Sequence, residues 1–92
     1  MSLEITRPRL SAKARLRFDR HGQQHMLLAP EKGLALNASA AEVVRLCDGE
    51  HEVSEIVAEL QQLFRGASPE RIEREVIGFL TLLSERGLLE EG

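Results

Sequence analysis

The stretch HMLLAPEKGLALNASAAEVVRLCDG, residues 25–49, changes its apolar period partway, and that change decides the fold. Before Asn37 it has the short apolar runs of strands, His25 to Ala29 and Gly33 to Asn37, separated by the turn-forming Pro30, Glu31, Lys32 and Gly33. After Asn37 the apolar residues Ala40, Val43, Val44 and Cys47 recur at the spacing of one helical face. Ser39 with Glu42 has the spacing of a capping box for that helix, and Asp48 with Gly49 supplies its stop. Working upstream, Arg15 to Asp19 alternates charged and apolar residues, which predicts a half-buried strand joined to the next through a turn containing Gly22. Residues 1–13 contain Pro8 and no sustained period, so they read as an extended or mobile arm.

Downstream, Val53, Ile56, Val57, Leu60 and Leu63 repeat the helical stripe, and Arg65 and Gly66 end it. The third helix has the sharpest start: Ser68 as N-cap, Pro69 at the first turn where a missing N–H costs nothing, and Glu70 facing the positive end of the dipole. Ile72, Val76, Phe79, Leu80 and Leu83 are its core stripe, Gly87 its left-handed C-cap, and Leu88 and Leu89 tuck back onto the body. The expected architecture is α+β: a three-stranded antiparallel sheet over about 15–19, 25–29 and 33–37, then helices over about 39–48, 53–64 and 69–86. Residues 14–92 form one domain, since 92 residues with 42% hydrophobic content supply one modest core. The last and shortest strand, Leu34 to Leu36, is a natural edge whose unpaired backbone groups are open to another chain.

Charge narrows the function. Residues 1–36 carry seven Lys and Arg against three acids, and residues 37–92 carry five against twelve, so the net charge of −3 divides into +4 and −7. A winged-helix DNA-binding module is the rival reading of strands plus three helices. It requires cations where phosphates approach, and the third helix is instead net negative. The single Cys47 cannot form an internal disulfide, and no apolar run approaches the length of a bilayer span; the expectation is a cytoplasmic protein that does not engage membranes.

Chemistry-bearing residues are sparse. Cys47 sits on an apolar stripe with no base at nucleophile spacing, which is the pattern of a small buried hydrophobe. His21 and His25 span a turn and His51 is remote, so no metal site is expected, and no phosphate loop or catalytic motif calls for a cofactor. Glu70, Arg71, Glu73, Arg74 and Glu75 make a charge run of the kind that usually forms a solvated helix face. Helical geometry nonetheless lines Arg71, Glu75, Gly78 and Leu82 along one flank beside Ile72 and Phe79, mixing charge with apolar surface as a peptide groove does.

The segments LAPEKGLALN (28–37), ASAA (38–41), RLCDG (45–49) and IVAEL (56–60) resemble the PqqD family of pyrroloquinoline quinone (PQQ) biosynthesis proteins. RPRL (7–10) and LRFD (16–19) extend the likeness, which covers about Arg7 to Leu89. Glu52 departs from the pattern, standing where a small hydroxyl cap is common. The resemblance implies a RiPP recognition element, a non-catalytic carrier of winged-helix-like fold that captures a precursor peptide as an added strand on its third strand, against its third helix. The implied partners are the PqqA precursor and the radical SAM enzyme PqqE. Both lines of reading place the peptide on Gly33, Leu34, Ala35, Leu36 and Asn37, and on Arg71, Ile72, Glu75, Val76, Phe79 and Leu82. An exposed edge strand also leaves a homodimer possible.

Overall fold

A computed structural model describes residues 3–92. Five strands and three helices follow in the order β1 (Pro8–Leu10), β2 (Arg15–Asp19), β3 (Gln24–Leu28), β4 (Gly33–Leu36), α1 (Ala38–Leu46), α2 (Val53–Leu63), α3 (Pro69–Glu85) and β5 (Leu89–Glu91). The expected α+β meander is present: β2, β3 and β4 pair antiparallel in that order, with Leu16 opposite Leu27 and Leu27 opposite Leu34. Because direct cross-strand partners share a face, Leu16, Leu27, Leu34 and Leu36 point inward, and α1 packs beneath all three strands. One apolar cluster joins them to Val43 and Val44 of α1, Ile56 and Leu60 of α2, and Ile72, Val76, Leu80 and Leu83 of α3.

The N-terminal segment requires a correction. Residues 8–10 are extended but not a mobile arm: β1 pairs antiparallel with β5, Pro8 opposite Glu91 and Leu10 opposite Leu89, in a second, two-stranded sheet. The opposite side of the segment is bonded to the loop between α1 and α2. The Leu10 N–H donates to the Cys47 carbonyl at 3.0 Å, and the Gly49 N–H donates to the Pro8 carbonyl at 3.0 Å. Pro8 is among the most deeply buried side chains, and Leu89, expected only to tuck back, is a strand residue. Of the expected arm, residues 1 and 2 lie outside the described residues.

One helix start also differs from expectation. Asn37, not Ser39, caps α1: its extended backbone lets Oδ1 accept from the Ala40 N–H at 2.8 Å and from the Ser39 hydroxyl at 3.0 Å. Glu42 therefore pairs with Arg45 one turn on instead of reaching back to the helix start. At α2, Glu52 is the cap residue although it lacks a short hydroxyl. Glu55 folds back to accept the Glu52 N–H at 2.7 Å, while the Glu52 carboxylate turns to Arg7 at 3.2 Å. Ser68 caps α3 through the Arg71 N–H, and Gly87, at φ +73°, ends it as expected.

Candidate functional site

Backbone geometry identifies the open edge. Ala29 and Lys32 exchange both hydrogen bonds across the β3–β4 turn, at 2.9 and 3.3 Å. Antiparallel ladders alternate bonded and non-bonded pairs, so Leu27–Leu34 and His25–Leu36 are the bonded pairs that follow. Gly33 and Ala35 fall at the non-bonded positions, and their N–H and C=O groups point away from β3. Among the described residues no strand takes the far side of β4, so these groups form an unpaired edge.

An open groove of about 330 Å³ lies at the Asn37 end of this edge. Buried Ile72 and Val76 of α3, Val43 of α1 and Leu60 of α2 make its floor, with Phe79 beside them; exposed Arg71 and Glu75 make its lip. Arg71 Nε donates to Glu75 at 2.9 Å, and this contact holds the guanidinium even more firmly protonated than usual. Because both side chains are exposed, the pair stabilises α3 little and is free to exchange partners. At the other end, Gly33 and Leu34 share a second depression with Lys13, Lys32, Arg86 and Leu88. Thus β4 starts at the second depression and ends at Asn37, which lines the groove against α3.

The structure brings Asn37, Arg71, Ile72, Glu75, Val76 and Phe79 to one groove, with Gly33, Leu34, Ala35 and Leu36 on the strand leading into it. Leu36 itself is buried and serves the core. Leu82 stands apart: with Gly78, Ile77 and Thr81 it lines the outward side of α3. Eleven residues separate it from Arg71, roughly 16 Å along the axis, which carries it past the floor that α1 and α2 supply. Phe64 and Ala67 line the groove without having been singled out. They follow α2, where no periodicity marks a side chain as inward-facing. Cys47 is buried just beyond α1; burial, reinforced by the charge of Asp48, pushes its thiol up to about 12. No group of three or more His, Cys, Asp or Glu suited to a metal occurs among the described residues.

Fold and site together define a small α+β module of winged-helix-like build, in which the unpaired edge of β4 ends at an apolar helix groove. Residues 24–89 match the family Coenzyme PQQ synthesis protein D (PqqD), and the chain belongs to that family. It is 39% identical over 88 residues to a PqqA binding protein of Rhodopseudomonas palustris, covering 96% of this chain and 85% of that one. Among solved structures it is similar to the PqqD portion of Methylobacterium extorquens PqqCD, described as a stand-alone RiPP recognition element. That likeness has a TM-score of 0.74 and 39% identity, covering 91% of this chain and 88% of the other. PqqD from Xanthomonas campestris is similar at a TM-score of 0.58 and 36% identity, covering 88% and 89% of the two chains.

Proposed function

We propose that this chain is a non-catalytic carrier that binds a PqqA-type precursor peptide by strand addition to β4 and presents it to the radical SAM enzyme PqqE. The observation that carries the reading is the edge itself: β4 turns the N–H and C=O groups of Gly33 and Ala35 outward and ends at Asn37, which lines a groove floored by Ile72 and Val76. Main-chain bonds to the edge supply affinity independent of sequence, and alternate side chains entering the groove supply selectivity. Arg71, at the lip of the groove, pairs with a peptide carboxylate. A buried thiol held at about 12 is no nucleophile near neutral pH, which supports carriage without chemistry. Precursor, enzyme and carrier meet in the cytoplasm; among the described residues no helix is long and apolar enough to cross a membrane. The carrier acts as a monomer or a homodimer, since strand addition needs only one free β4 edge.

Titrating isotopically labelled protein with a PqqA peptide tests the binding site. Backbone amides of Gly33 to Asn37 and of Ile72 to Phe79 move most; shifts confined to α2 or the β1–β5 sheet would refute the placement. Presentation is tested separately by adding PqqE to the peptide complex and following its sedimentation. A ternary species is expected, and separate migration of enzyme and carrier would refute this half.

A further inference from the structure

The outer face of the main sheet has a construction that the core does not explain. Arg15, Leu28 and Gly33 stand in one cross-strand row, and Arg17, Met26 and Ala35 in the next. Since Leu27 and Leu34 point inward, both rows point outward. Met26 and Leu28 are half-buried yet belong neither to the apolar core nor to the side chains packed against it. They lean toward the open edge: a Cβ on Gly33 would lie 3.3 Å from Met26 Cε and 3.5 Å from Leu28 Cδ2. Arg15 and Arg17, both exposed, make no ion pair among the described residues, whereas Arg7, Arg9, Arg45 and Arg71 each have a carboxylate. Each row therefore runs from a free cation through an apolar side chain to a small residue, and ends at the edge where the next strand adds.

We infer that this face is a second recognition surface for the same bound peptide, reading two outward side chains spaced i and i+2. The inference rests on strand addition to β4. A strand paired there places alternate side chains directly beside Gly33 and Ala35, on the outward face. Gly33 and Ala35 present nothing that blocks those side chains from lying across toward Leu28 and Met26. The apolar middle of each row accepts an apolar body or stem. The cation beyond favours a carboxylate at the tip and disfavours an ammonium. The peptide is then gripped on both faces, its inward residues by α3 and its outward pair by the sheet.

Calorimetric titration of PqqA peptide into wild type, Met26→Gln/Leu28→Gln and Arg15→Glu/Arg17→Glu, with Gly33 and Ala35 amide shifts followed in each, tests this. Two lost cross-strand contacts predict roughly tenfold weaker binding for the first variant. The second weakens binding and flattens its salt dependence, and in both the two amides still move at saturation. Binding within twofold of wild type in both variants, with the amides moving, overturns the outer-face reading and leaves strand addition intact. Unmoved amides in the wild type overturn strand addition and this inference with it. Should the Met26 and Leu28 substitutions unfold the protein, the arginine variant decides alone, because both arginines are exposed.

Discussion

Asn37 holds the junction on which the site depends. Its extended backbone ends the sheet, its Oδ1 accepts the Ala40 N–H to start α1, and its side chain lines the groove. Asn37→Ala is expected to lower stability by about 1 kcal/mol, the usual worth of a lost N-cap, while Ser39→Ala changes it little. Urea unfolding of the two variants checks this, and equal losses would return the cap to Ser39. Glu91 shows a comparable residue-level economy. Its carboxylate accepts the N–H groups of Thr6 at 2.8 Å and Arg7 at 2.9 Å, and these bonds, with the nearby Arg7 charge, hold its pKa below the ordinary carboxylate range. A depressed folded-state pKa gives stability that is present above the unfolded value and lost as pH falls through the folded one. Glu91→Gln is therefore expected to be less stable than wild type at neutral pH, with the difference shrinking on acidification. Urea midpoints measured between neutral pH and pH 3 would show a constant gap if the carboxylate charge were irrelevant. The Ser68 cap and the Gly87 stop are legible in the sequence because each acts within one turn. The choice between Asn37 and Ser39 is not, since both are good caps and the deciding factor is where β4 releases the chain.

Among the elements, β4 and α3 form the proposed binding site, and they differ in how much of it the sequence displays. The core stripe of α3 follows directly from spacing: Ile72, Val76, Leu80 and Leu83 are all buried. Its groove flank is only partly legible, because helical periodicity gives the azimuth of Leu82 but not the point along the axis where α1 and α2 stop facing it. For β4 the sequence indicates a short edge strand, whereas the ladder with β3 determines which of its amides face outward. Ala35→Pro follows from that distinction. A proline at an outward-facing N–H breaks no β3–β4 bond and is tolerated on an edge strand, yet it removes a donor from the open edge. The fold is expected to persist by circular dichroism while PqqA affinity falls roughly tenfold, the worth of one well-formed hydrogen bond and its neighbours. Unchanged affinity in a folded Ala35→Pro protein would exclude strand addition at this register.

At the scale of the whole molecule, the two ends of the chain close the fold. β1 lies between β5 and the loop after α1, buries Pro8, and bonds to both, so the termini staple the helices to one another. Deleting residues 1–10 is expected to cost about 3 kcal/mol, the scale of losing the buried Pro8 side chain and uncovering Leu89. An unaltered urea midpoint after this deletion would mean that the segment adds nothing to the core. The charge division of the sequence also acquires a location: Arg15 and Arg17 stand on the outer sheet face, while Glu75 of α3 borders the groove and Glu73 and Glu85 line the outward side of that helix. By itself the sequence determined what depends on near neighbours: the switch from strands to helices at Asn37, the helix cap and stop of α3, the core stripes apart from Leu63, which the end of α2 leaves exposed, and the edge character of residues 33–37. Only the tertiary structure decided the pairing of β1 with β5, the outward direction of the Gly33 and Ala35 amides, and the meeting of Asn37 with Arg71 and Glu75 in one groove. The physical reason is sequence separation. Caps and periodicities are settled by bonds and contacts within a turn or two, whereas Pro8 and Glu91 are brought together by the packing of everything between them.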